Sequence, residues 1–162
     1  MSTFYALFNL RNLLYLILIK AGIREGFRGG SSKYAARRCY GYDTTCDGSQ
    51  VINPSEAKIV RWMFQRYLHG DSLGRIAAGL EKQGVLSPTG KLKWNRETID
   101  KLLSNEKYTG CVLLQKTVCL GGCQIQNDGF QDQYLYSGNH EAIVSIDVFQ
   151  AVQNEKLRRG RK

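Results

Sequence analysis

The chain has 162 residues, 43% hydrophobic and 23% charged, which is the composition of an ordinary globular protein and not of a disordered or collagenous one. That length suits one domain with its own core. The formal net charge of +9 is unevenly placed: residues 1–38 hold seven Lys/Arg against one Glu, residues 156–162 hold five Lys/Arg and no acid, and the body between them is slightly acidic. Basic ends on a near-neutral body suit phosphate-gripping arms, because Lys and Arg contacts release counterions from DNA. A solvated tail, or attraction to an anionic membrane, fits the same charges.

The first segment, 1–21, contains the apolar run Leu13 to Ile19 between Arg11 and Lys20. It falls well short of the roughly twenty residues needed to span a bilayer. A signal peptide has a basic start and a small-residue cleavage site, and neither is present. The run reads as a short helix lying on the domain or on another chain. Residues 22–38 are rich in Gly, Ser and basic residues, and read as a flexible basic linker that ends in Arg37-Arg38.

Asp47-Gly48 marks a turn between short extended pieces. Asn53-Pro54-Ser55-Glu56 predicts a helix start, with Asn53 as cap, Pro54 in the first helical position and Glu56 completing a capping box. Val60, Met63, Phe64, Tyr67 and Leu68 then share one face, and His69-Gly70 closes the helix. Asp71 is the expected cap of a second helix, with Leu73, Ile76, Ala77 and Leu80 as its stripe and Gly84 at its end. Ser87-Pro88-Thr89-Gly90 turns the chain. Asn95 caps a third helix with Ile99, Leu102 and Leu103 inward, Lys101 outward, and Arg96 and Thr98 on the flanks. The Gly84–Trp94 link is longer than the roughly three or four residues of a helix-turn-helix turn, so the pair is helix-turn-helix-like only. On residue type alone, a solvated face accounts better for Lys91, Lys93, Arg96 and Lys101 than a DNA contact does.

From Tyr108 the pattern becomes extended. Val112 to Val118 precedes Gly121-Gly122, a hairpin signal, with Tyr134-Leu135-Tyr136 as the expected returning strand and Asn127-Asp128-Gly129 as a loop. From Ser145 a last helix directs Val148, Phe149, Val152 and Leu157 to the core and runs out into Arg158-Arg159. His140 reads as a loop hydrogen-bonding residue. The fold class expected is α+β: a small helical domain with an antiparallel hairpin and a C-terminal helix.

Catalytic and metal constellations are not evident. Gly26 to Gly30 lacks the context of a phosphate loop, and no Ser sits on a nucleophile elbow. Five cysteines do not close a disulfide framework. Cys39-x6-Cys46 and Cys119-x3-Cys123 lack the two-residue spacing of a zinc knuckle. No metal, cofactor or small-molecule substrate is expected, and reduced thiols suit a cytoplasmic setting.

An ordered series of residues carries a family resemblance. It starts with Cys39-Tyr40-Gly41-Tyr42-Asp43, Asp47-Gly48 and Pro54-x-Glu56-Ala57-x-Ile59-Val60-Arg61-x-Met63-Phe64-x-x-Tyr67. The stretch from Asp71 to Gly110 follows, closing on Asn105-x-x-Tyr108-x-Gly110. Then come His140-x-Ala142-Ile143-Val144-Ser145 and Phe149-x-x-Val152-Gln153 with a basic end. Residues 39–159 thereby resemble the recombinase domain of the large serine recombinases, the part that follows the catalytic domain and grips attachment-site DNA.

The resemblance implies double-stranded DNA, one attachment half-site, as the partner, with full-length recombinase subunits as further partners. It implies DNA contacts from Arg37 and Arg38, from Lys91 and Lys93, from Arg96, Thr98 and Lys101, and from Arg158 and Arg159, with 160–162 as a basic tail. The family's catalytic serine domain, zinc ribbon and coiled-coil arm have no counterpart here. The expectation is therefore a non-catalytic, truncated product of a phage or mobile element, working in the bacterial cytoplasm at the nucleoid. A non-catalytic part of a split recombinase is the alternative, as is a small membrane-associated basic protein.

Overall fold

A computed structural model describes residues 21–29, 37–120 and 122–160. The apolar segment 1–20, part of the basic linker and the last two residues of the tail lie outside the described residues. The chain divides into two compact units, Ala36–Val112 with Tyr136–Lys162, and Met1–Ala35 with Leu113–Leu135. The elements are those of an α+β protein: helices, short antiparallel hairpins and a long C-terminal helix.

The larger unit begins with β1 (Tyr42–Thr44) and β2 (Gln50–Ile52), an antiparallel pair in the register Tyr42↔Ile52 and Thr44↔Gln50. Helix α2 (Pro54–Leu68) starts as its residue types predict, with the Asn53 side chain accepting from the Glu56 N–H at 3.2 Å. The expected capping box is only half formed. The Glu56 carboxylate turns away to accept from the Gly41 N–H at 2.7 Å, so it ties the helix start to the first strand. Val60, Met63, Phe64 and Tyr67 are buried as their spacing demands, while Leu68 is exposed.

Helix α3 (Leu73–Lys82) is capped by Ser72, and not by Asp71 as expected. Asp71 is taken by ion pairing: its carboxylate lies 2.5 Å from Arg66 and 3.8 Å from Arg75. Helix α4 (Arg96–Leu103) follows the link, and a 3-10 turn (Glu106–Thr109) leads out of it. Helix α5 (Ile146–Gly160) packs against α2 and the 3-10 turn. The core is continuous through Val60, Phe64, Ile76, Leu80, Ile99, Leu103, Tyr108 and Val152. Each such buried side chain contributes about 1.5–3 kcal/mol of transfer free energy. Leu157, expected in this core, is exposed because its position on α5 has turned away from α2.

Tyr108 joins the pieces. Its carbonyl accepts from the N–H groups of both Ile143 and Val144 at 2.9 Å, and its hydroxyl donates to the Tyr40 carbonyl at 2.9 Å. Burial pushes the Tyr108 hydroxyl well above its ordinary pKa, so it stays a donor. His140 is the loop hydrogen-bonding residue expected, with Nε2 2.6 Å from the Lys107 carbonyl and its ring edge-on to Tyr42.

In the smaller unit, residues 21–28 form helix α1, where the glycines had suggested a flexible linker. Gly22 and Gly26 each disfavour a helix, but the residues between them are helix formers, and Glu25 pairs with Arg28 at 3.6 Å across one turn. Strand β4 (Thr117–Leu120) returns through β5 (Cys123–Gln126), with Val118 opposite Ile125. The expected returning strand, β6 (Tyr134–Tyr136), pairs with β3 (Val112–Leu114), the first half of the expected run, and not with β4. The extended run is broken at Gln115, which adopts φ 62°, so it makes two strands where periodicity suggested one. Asn127 holds the loop after the hairpin: its side chain donates to the carbonyls of Gln115 and Gln131 and accepts from the Gln131 N–H.

Candidate nucleic-acid interface

The link between α3 and α4 is long but pinned. Trp94 is buried, its ring N–H donates to the Val85 carbonyl at 2.8 Å, and its backbone N–H donates to the Glu81 carboxylate at 2.9 Å. Tyr40 meets the same indole edge-on, with centroids 5.8 Å apart. Upstream, the Ser87 N–H donates to the Lys91 carbonyl at 2.8 Å, while the Ser87 hydroxyl accepts from the Lys91 N–H. With the link closed on itself between Ser87 and Lys91 and tied to α3 at Trp94, Lys91, Leu92 and Lys93 are displayed on its surface. Their ammonium groups stand on a fixed loop, which lowers the entropy lost on meeting a phosphate.

Asn95 caps α4 through its side chain, which accepts from the Glu97 N–H at 3.0 Å. Ile99, Leu102 and Leu103 face inward. The edge next to α5 is also covered: Lys156 reaches the Asp100 carboxylate at 2.7 Å and bonds the Ser104 hydroxyl. What remains open on α4 is exposed Glu97 and Lys101 beside half-buried Thr98. Arg96, at the first helical position, is exposed, and its guanidinium lies along the first turn of α3 beside Gly74.

The two expected arms behave differently. Arg37 and Arg38 are exposed, and the Arg37 carbonyl accepts from Gln50 at 2.8 Å and from the Lys107 ammonium at 3.0 Å, which anchors the start of the arm. Arg158 is exposed and makes a bidentate pair with Glu155, both contacts 2.7 Å. Hydrogen bonds from Arg158 and Arg159 pull the Glu155 carboxyl down to about 2. Arg159 turns inward: it donates to the carbonyls of Tyr67 at 2.9 Å and Asp71 at 2.8 Å, and so closes the end of α2. Its position next to Arg158 in a basic tail hid this role, although seven residues on from buried Val152 it shares the covered face of α5.

Arg75 and Gly74 were missed in the sequence. Arg75 is an exposed cation in the first turn of α3, close in the chain to the place where Arg96 lies. A glycine in the first turn of an otherwise good helix former was the one available signal.

Among the described residues, no group of three or more His, Cys, Asp or Glu is placed to hold a metal ion. Cys39 is buried, accepts a hydrogen bond from Asn105 at 3.2 Å, and has its thiol pKa raised by burial. No described helix is long and apolar enough to cross a membrane.

Two solved structures share this architecture. One, the crystal structure of an LSR–DNA complex (LSR, large serine recombinase), matches with a TM-score of 0.56 and 26% identity over 76% of this chain and 33% of its own. The other, from work on the sequence requirements of the Listeria innocua prophage attP site, matches with a TM-score of 0.55 and 26% identity over 76% of this chain and 44% of its own. The chain thus spans less than half the length of either relative. The family model for Recombinase matches residues 54–159, from the first residue of α2 almost to the end of α5. The chain belongs to the Recombinase family, and its body is a recombinase domain of the serine recombinases.

Proposed function

We propose that this chain binds double-stranded DNA as the non-catalytic recombinase domain of a serine site-specific recombinase from a phage or mobile element. It would act in the bacterial cytoplasm, on nucleoid or element DNA, alongside full-length recombinase subunits. The observation that carries this reading is the pinned link followed by α4, along which Lys91, Lys93, Arg96 and Lys101 are all exposed. The DNA complex of the structural relative supports it.

In this reading α4 faces the major groove. Arg96 is the residue suited to a bidentate guanine contact, and Thr98 and Lys101 flank it. Lys91 and Lys93 hold phosphates, since a flexible ammonium reads charge and not base edges. Arg37, Arg38 and Arg158 extend the grip beyond the helix. Arg159 contributes by holding α5 against α2. Enrichment from a randomised duplex pool tests the function. The wild-type chain is expected to select a reproducible sequence of half-site length, and a pool that stays random after repeated rounds contradicts site recognition.

A further inference from the structure

Arg96 occupies a place that helix stability does not explain. It stands at the first position of α4 and its guanidinium lies beside the first turn of α3, so a cation sits at the positive end of two helices. Its position depends on Gly74. A Cβ added to Gly74 would lie 3.2 Å from Arg96 Nε, 3.3 Å from its Nη2 and 3.4 Å from its Cζ, closer than such contacts normally come. The three atoms nearest that Cβ all belong to the Arg96 side chain, and Gly74 has ordinary helical backbone geometry. The one thing a methyl group there would move is the end of an exposed, flexible side chain.

We propose that Gly74 is a positioning residue for DNA recognition: its missing side chain lets the Arg96 guanidinium lie across α3 and so sets the direction from which Arg96 reaches the duplex. This rests on the reading of α4 as the DNA-facing helix. Gly74→Ala keeps the charge, the cap at Ser72 and the helix, and even favours the helix through the higher propensity of alanine. A purely structural glycine would give the opposite result, a loss of stability. A few tenths of an ångström at the guanidinium matter because a bidentate contact to a base edge has a fixed fork geometry.

A double-mutant cycle tests the inference. The full chain is titrated by fluorescence anisotropy with a short duplex enriched from a randomised pool by the wild type, and with a scrambled duplex of equal length. Arg96→Ala is expected to weaken the enriched duplex about tenfold, within the usual range for one bidentate contact. Gly74→Ala is expected to weaken it by several-fold, to leave the scrambled duplex unchanged, and to keep or raise Tm. In the Arg96→Ala background, Gly74→Ala is expected to have no further effect. Arg96→Ala weakening the duplex while Gly74→Ala does not overturns this inference alone, as does a Gly74→Ala loss that persists without Arg96. Arg96→Ala binding like the wild type overturns both this inference and the DNA-facing role of α4.

Discussion

The guanidinium of Arg159 lies 4.1 Å from the centre of the Tyr67 ring and donates to the Tyr67 carbonyl at 2.9 Å. One side chain thereby covers an aromatic face and adds a charged donor to a carbonyl at the end of α2 that already accepts from the Gly70 N–H at 3.1 Å. Glu155, one turn back on α5, holds the same guanidinium from the other side at 2.7 Å. Two adjacent arginines in a basic tail thus have different work, Arg159 in the fold and Arg158 at the surface.

This difference is measurable. Arg159→Ala should destabilise the chain by about 2–3 kcal/mol, the usual cost of removing charged hydrogen bonds to buried acceptors together with a cation–π contact. Arg158→Ala should leave the urea midpoint where it is, because an exposed ion pair adds little. Equal midpoints for the two variants would show that Arg159 does not hold α5 to α2.

Gly110 offers a contrast with Gly74. It adopts φ 76°, and a Cβ there would come within 2.6 Å of the His140 carbonyl oxygen, a backbone atom that cannot swing away. Gly110→Ala should therefore destabilise by about 2 kcal/mol or more, combining left-handed strain with a backbone clash. Thermal unfolding of the two alanine variants should separate them cleanly, with Gly110→Ala lower and Gly74→Ala level or higher.

The helices were legible in the sequence because their causes are local. Asn53 and Asn95 announce helix starts through side chains that accept N–H groups two or three residues on, Pro54 does so through its fixed φ at the first helical position, and the stripes of α2, α3 and α4 repeat at helical spacing. The β-pairing was less legible. Whether β4 returns through β5 or β6 depends on Gln115 breaking the strand and on Asn127 bonding across the loop, contacts that residue types do not announce. Asp71 was misread as a cap because Asp and Ser are equally good caps, and only the folded chain brings Arg66 and Arg75 to the carboxylate. The open face of α4 was only partly legible, since the covering of Asp100 and Ser104 comes from Lys156, more than fifty residues away in the chain.

Acid should weaken the fold through His140. Burial lowers the pKa of its ring below the ordinary value of 6.5, and the neutral ring keeps Nε2 at 2.6 Å from the Lys107 carbonyl. The unfolded chain then binds more protons than the folded one between the lowered value and 6.5, so stability rises with pH across that window. This contribution is complete above 6.5 and is lost as pH falls through the window towards the lowered value. His140→Gln should flatten the dependence of Tm on pH just below 6.5. An unchanged slope in that variant would assign the acid sensitivity to other groups.

Lys93 and Lys91 should act on all duplexes alike. Lys93→Ala is expected to weaken enriched and scrambled DNA equally and to lower the salt slope by roughly one unit. A loss confined to the enriched duplex would instead place Lys93 at a base edge. Negligible losses for Arg96→Ala and Lys101→Ala, with a large loss for Arg37→Ala combined with Arg38→Ala or for Arg158→Ala, would assign the grip to the arms.

The most direct test of DNA binding is the affinity of the full chain for a labelled duplex measured across a series of salt concentrations. Exposed lysines and arginines that neutralise phosphates release counterions, so log K should fall linearly with log salt by roughly 0.9 for each phosphate engaged. The account predicts tight binding at low salt, a steep loss as salt rises, and a residual preference for the enriched sequence over the scrambled one. No binding at low salt, or an affinity that does not change with salt, would contradict it.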